Sequence, residues 1–186
     1  MPTSEKTIQF SGEEFIKIGE IARKFWENGS TGNPPKFIII MGGVGSGKTT
    51  IRRQKFGNNY VNFDFGEVYM AIEKSVGEND SKLTVYAILA CDLILGESLK
   101  EKKNIVIEII GDTVVFQPII SAMEKIGYEV AINAISADPA EAYKRHLKAT
   151  QEEKDYLSAY FTQEPTLSAF YRQLGLGDIQ SVSDKK

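Results

Sequence analysis

The stretch Phe37-Ile-Ile-Ile-Met-Gly-Gly-Val-Gly-Ser-Gly-Lys-Thr-Thr50 decides how this chain folds. Its first part, Lys36 to Met41, is short, apolar and β-branched without alternation, which is the pattern of a strand covered on both faces in a parallel sheet. Its second part, Gly42 to Thr49, fits G-x-x-x-x-G-K-[ST] at every fixed position, and a helical stretch from Lys48 to Phe56 follows. Glycines let the backbone turn with φ > 0 and aim successive N–H groups inward, and the helix adds its positive N-terminal end. Gly42, Gly43, Val44, Gly45, Ser46, Gly47, Lys48, Thr49 and Thr50 are therefore the expected cradle for the phosphates of a nucleoside triphosphate. Lys48 would reach the β and γ oxygens and the Thr49 hydroxyl would ligate Mg²⁺. A dinucleotide loop would have no use for Lys48 and Thr49, and no clean G-x-G-x-x-G opens the helix.

Working outward, similar apolar runs recur at Tyr60 to Phe63, Ile105 to Ile110 and Val130 to Ile135. Helical stretches lie between them: Ser81 to Lys100, then Val115 to Ile126, where Pro118 fits only a first turn, then Ala140 to about Thr150, opened by Asp138-Pro139. Strands alternating with helices make βαβ crossovers. The expected fold class is α/β, a kinase-type P-loop NTPase with a central parallel sheet and helices on both faces, in three layers. Its ligands sit beyond the carboxyl ends of the strands. Ser11 with Glu14 reads as a capping box ahead of Phe15, Ile18, Ala22, Phe25 and Trp26 at helical spacing. The expected organisation is thus an N-terminal amphipathic helix and linker over 1–35, a kinase-like domain over 36–179 and a flexible tail over 180–186.

With 186 residues, 42% apolar and 25% charged, the chain has the length and composition of one globular domain and excludes a stack of modules. Lys and Arg number 22 against 25 acids, so the net charge of −3 supplies no global field for anionic membrane and argues against long nucleic acid. Cys91 and His146 are each alone of their kind, which precludes an intrachain disulfide and points to a reducing compartment without structural zinc. The longest apolar run, Val85 to Cys91, is too short to span a bilayer, and the first residues have no leader pattern. A cytoplasmic protein is expected.

Phosphoryl transfer needs a group to deprotonate the acceptor and a carboxylate near the metal. Asp64 ends the run Tyr60 to Phe63 at the ligand edge, next to the loop if these strands are neighbours; it could equally cap a helix starting near Gly66. Glu108 interrupts Ile105-Val-Ile-Glu-Ile-Ile110, where a carboxylate requires a cation, a metal or hydrogen bonds. The structural alternative to a site role is an internal pair with a buried Lys or Arg. Asp112 is a lesser candidate that could simply make a turn with Thr113. Arg52 and Arg53 read as surface or sheet-edge charges and His146 as surface. Tyr156, Tyr160, Phe161, Phe170 and Tyr171 fit either a lid or the core contacts of the last helices.

Taken together, Ile40 to Thr50, Val61-Asn-Phe-Asp64, the long helix over 81–100, Asn104-Ile-Val-Ile-Glu108 and Ala140 to Lys148 resemble the zeta-toxin family of P-loop kinases. The resemblance covers roughly residues 36–150. It implies ATP- and Mg²⁺-dependent phosphorylation of a hydroxyl on a small acceptor, UDP-N-acetylglucosamine being the family's best-known one, and an antitoxin-like protein partner. It further implies Asp64 as acceptor base, Glu108 as an acceptor-binding residue and Arg145 as the helix arginine that steadies the transferring phosphate. The chain carries Glu67 where the family often has a basic residue, and Lys148 where a second arginine is expected. A polynucleotide or nucleoside kinase, or a nucleotide-binding regulator with little transferase activity, are the alternatives.

Overall fold

The computed structural model describes residues 11–77, 82–110, 116–152 and 164–177. The elements in chain order are α1 (Gly12–Trp26), β1 (Lys36–Met41), α2 (Lys48–Lys55), β2 (Val61–Asn62), α3 (Phe65–Val76) and α4 (Leu83–Lys100). They continue with β3 (Ile105–Ile109), α5 (Gln117–Lys125), β4 (Glu129–Ala134), α6 (Pro139–Glu152) and α7 (Glu164–Leu174). The four strands form one parallel sheet in the order β2-β3-β1-β4. β1 therefore lies inside the sheet, and β3, not β2, is its neighbour on the side of the acids. In register, Ile40 pairs with Glu108 on one side and Asn133 on the other.

Local chemistry accounts for the ends of these elements. The Ser11 hydroxyl accepts from the Glu14 N–H at 3.1 Å while the Glu14 carboxylate accepts from the Ser11 N–H at 2.6 Å, closing the expected capping box. Asp138 accepts from the N–H groups of Ala140 and Glu141, both at 3.0 Å, at the start of α6. Pro118 falls in the first turn of α5, where its missing N–H costs nothing.

The side chains of β1 alternate between two unequal cores. Phe37 and Ile39 join Val61, Phe63, Ile105, Ile107 and Ile109 in the large core, which takes in the buried faces of α1, α3, α4, α5 and α7. Ile38 and Ile40 join Val106 in a small cluster with Ile51 and Phe56 at α2. The N-terminal helix belongs to the large core: Ile18, Ile21 and Ala22 are buried, and α1 packs against α4, α3 and β2. Phe170 and Tyr171 are core residues too. The Phe170 ring lies 5.4 Å from that of Phe37 and 5.3 Å from that of Phe63. Tyr156, Tyr160, Phe161, Asp112 and the tail over 180–186 lie outside the described residues.

The structure departs from the sequence pattern at two strands. β4 is not covered on both faces; it is an edge strand with Ile132 46% exposed, because among the described residues it pairs with β1 alone. β2 comprises only two residues, since its backbone leaves the ladder after Phe63, whose N–H still reaches Val106 at 3.0 Å. Phe170 ties the last helix to two strands, so Phe170→Ala is expected to cost ~3–5 kcal/mol, the usual range for a buried Phe truncation, as measured by urea unfolding.

Candidate functional site

The loop after β1 leaves the middle of the sheet between β3 and β4, with the Gly42 N–H still bonded to Ile109 O at 3.3 Å. Gly45 (φ +71°) and Gly47 (φ +95°) occupy left-handed conformations, and Gly47 caps α2. Space demands glycine as much as conformation does. A Cβ at Gly42 would stand 2.6 Å from Ser46 Oγ and 2.7 Å from Ile135 O, and one at Gly45 would collide with Ala142 O on α6. The loop is thus wedged between the end of β4 and α6. Lys48 is buried and donates to Gly42 O and Gly43 O, both at 2.9 Å. Burial lowers its pKa, and the Glu108 charge opposes that shift. Ser46 Oγ is buried with no hydrogen-bond partner among the described residues. An orphaned hydroxyl, a glycine cradle and a lysine folded onto its own loop carbonyls fit a polyphosphate, which would take over these donors.

Below the loop, α2 presents Lys48, Thr49 and Arg52 on one face by helical spacing. Arg52 is not a surface charge: it is 4% exposed, whereas the side chain of Arg53 is 66% exposed. The reason is that three acids, Glu108 of β3, Glu67 of α3 and Asp64 at the cap of α3, converge on the Arg52 guanidinium. Its Nε donates to Glu108 Oε1, its Nη2 stands 2.7 Å from Glu67 Oε1, and the same Nη2 stands 3.7 Å from Asp64 Oδ2. Burial works against the Arg52 charge, yet Glu67, Glu108 and Asp64 together raise its pKa. Glu108 therefore meets a buried arginine, with its side chain only 1% exposed, and its second oxygen accepts from the Thr49 hydroxyl at 2.9 Å. The Thr49 hydroxyl thus spends its proton on Glu108, which leaves its oxygen lone pairs as acceptors for another ligand. Sequence reasoning alone does not pick out Arg52 or Glu67 as site residues. The available signal is Arg52 at i+3 and i+4 from Thr49 and Lys48, beside acids that a buried sheet end cannot carry unpaired.

Asp64 follows β2 at the carboxyl edge, but β3 separates it from β1, so it is linked to α2 through Arg52 and not as a neighbouring strand end. It also caps α3, accepting from the Glu67 N–H at 3.2 Å. Burial pushes its carboxyl up to about 6, helped by the charges of Glu67 and Glu108 and opposed by Arg52. Beside this cluster a hollow of about 400 Å³ opens at α2, β2 and α3, lined by Arg52, Arg53, Asn62 and Glu67 among others. On the other side of the loop, the exposed Arg145 of α6 puts Nη1 3.9 Å from where a Cβ of Gly47 would lie. Lys148 is exposed one turn further on, and His146 is half-buried instead of lying on the surface.

The model of the zeta toxin family matches residues 22–156. The chain belongs to the zeta toxin family. Among solved structures, one from the PezAT chromosomal toxin–antitoxin system of Streptococcus pneumoniae superimposes with a TM-score of 0.56 at 20% identity, over 90% of this chain and 74% of that one. No curated protein gives a significant match. This zeta-family chain accordingly has the P-loop kinase-like fold expected of it, and none of its described helices is long and apolar enough to cross a membrane. Removing the cation that three carboxylates share leaves buried charge uncompensated. Arg52→Gln is expected to destabilise by ~3–5 kcal/mol in urea unfolding, while Arg53→Gln stays within ~0.5 kcal/mol.

Proposed function

We propose that this protein is an ATP-dependent phosphotransferase that moves the γ-phosphoryl group to a hydroxyl of a small acceptor. The observation that carries the reading is the Lys48, Thr49 and Glu108 arrangement under the glycine loop, with the buried Asp64 held near it by Arg52. Loop amides and Lys48 would hold the β and γ phosphates, Lys48 leaving the Gly42 and Gly43 carbonyls to do so. Mg²⁺, when bound, neutralises phosphate charge. Thr49 would ligate it through its oxygen while its hydroxyl hydrogen stays hydrogen-bonded to Glu108. Asp64 would accept the acceptor's hydroxyl proton as its oxygen bonds to the γ phosphorus and the bridging oxygen departs with ADP. Arg145, over the start of α2, would balance charge on the transferring group.

Family membership supports a nucleotide-sugar acceptor, a UDP-amino sugar first among them, with Glu108 contributing to acceptor binding through the groups it orders. The neighbour's place in a toxin–antitoxin system supports a protein partner of the antitoxin kind. The net charge of −3 favours a small acceptor over a polynucleotide. A regulator that binds nucleotide without transfer is the second reading, favoured by Glu67 and Lys148 at positions where the family pattern is basic.

Incubation with γ-labelled ATP and a panel of nucleotide sugars, nucleosides and oligonucleotides, with products identified by mass spectrometry, tests the reading; labelled ATP without any labelled acceptor would leave the regulator. MgATP at a hundredfold excess over Kd is expected to stabilise the wild type by about 2.7 kcal/mol, and Lys48→Ala to lose most of that gain. Equal thermal shifts would refute the phosphate loop. Asp64→Asn is expected to keep ATP affinity while turnover falls ~10²–10⁴-fold. The variant also has a pH signature. The folded Asp64 holds its proton up to about pH 6, against an ordinary value of 3.8, so the wild type loses stability as pH rises through that window. Asp64→Asn, which still caps α3, is expected to flatten this slope in unfolding experiments between pH 4 and 7.

A further inference from the structure

Arg52 presents two nitrogens to three carboxylates, and the sharing is unequal. Nε goes to Glu108, while Nη2 lies 2.7 Å from Glu67 but 3.7 Å from Asp64. An N–H···O bond ends near 3.2 Å, so Nη2 is bonded to Glu67 and acts on Asp64 only through space. Glu67 is itself held from two sides. Asn62 Nδ2 donates to its other oxygen, and Arg53 Nη2 stands 3.6 Å from the oxygen that Arg52 uses. Its backbone N–H, meanwhile, holds Asp64 Oδ1 at 3.2 Å. One residue therefore orients Asp64 through its main chain and competes with it for a cation through its side chain.

We infer that Glu67 is a positioning residue for Asp64, drawing the Arg52 guanidinium off that carboxylate while its own N–H sets the carboxylate's direction. The inference rests on the reading of Asp64 as acceptor base. The acid at 67 then contributes to activity in this chain, where the family pattern alone would count it as a loss. The charged and titratable groups facing Asp64 agree with such a role. Among the described residues they include Arg52 from α2, Glu67 from α3, Glu108 from β3 and the Cys91 thiol from α4. Burial and the two glutamates keep the Asp64 carboxyl near 6, against the pull of Arg52. A guanidinium bonded directly to it would lower that value by ~1–3 and weaken the base.

The test uses the full chain with Glu67→Gln and Glu67→Lys. Three quantities are read: kcat with acceptor KM, ATP affinity, and the ¹³C titration of the Asp64 carboxyl, assigned by its absence in Asp64→Asn. Glu67→Gln is expected to move the Asp64 titration down by ~1 or more. It should lower kcat by at least ~10-fold with ATP affinity unchanged. Glu67→Lys, which restores a basic residue, should go further in both directions. An Asp64 titration that does not move in Glu67→Gln overturns the inference, and so does a kcat that is unchanged, or one that rises in Glu67→Lys. If the wild type transfers phosphate to no acceptor, the phosphotransferase reading fails on its own, while an Asp64 titration that does not move in Glu67→Gln still overturns the positioning role of Glu67.

Discussion

A buried guanidinium fixes the geometry of this site. Arg52 and Glu108 hold each other inside the protein: withdrawing the guanidinium takes the cation from the buried Glu108, withdrawing Glu108 leaves Arg52 to Glu67 and a more distant Asp64, and uncompensated charge at this depth costs several kcal/mol. That mutual dependence locks α2 to β3. Through Glu67 and Asp64 the same side chain reaches the start of α3, so three elements that meet at one sheet edge share one cation. The pair also orders the nucleotide side: Glu108 engages Thr49, one turn before Arg52 on the same helix. Lysine at 52 would not serve equally, since a point charge lacks the fork that gives Nε to one acid and Nη2 to another.

A second constraint is steric. The glycine loop is compressed from both sides, by the end of β4 at Gly42 and by the α6 backbone at Gly45. Crowding of this kind does two things for a phosphate site. It holds the backbone in the turn that aims its amides inward, and it brings α6, with Arg145, over the start of α2 without any need for a long reach. Lys48 meanwhile rests on two loop carbonyls, so its charge is satisfied before any anion arrives. Anion binding would then exchange bonds from the ammonium to neutral carbonyls for bonds to charged oxygens.

Outside the site, the lopsided core explains how a short chain supports this edge. Most of the apolar surface of the sheet is buried on the side of α1, α3, α4, α5 and α7, where Phe170 closes the packing against Phe37 and Phe63. Among the described residues, the opposite face has Ile38, Ile40 and Val106 in its buried cluster. Weak apolar cover beneath α2 leaves room for the ionic network, and the network in turn holds α2 where few hydrophobic contacts would.

Much of this was legible in the chain itself. The strand-loop-helix over 36–56, the capping box at Ser11, the start of α6 at Asp138 and the α/β alternation follow from local rules, because turns, caps and periodicity are decided by residues a few positions apart. The same locality made Asp64 and Glu108 visible as acids at strand ends. It could not say that β3 would lie between β1 and β2, that β4 would stand at an edge, or that Arg52 would turn inward while Arg53, its immediate neighbour on the helix, turned out. Those outcomes depend on which strands pair and on where three carboxylates, spread from position 64 to 108, come to rest. Only the folded chain brings their fields together on one guanidinium, and burial gives those fields enough strength to settle which charge is inside.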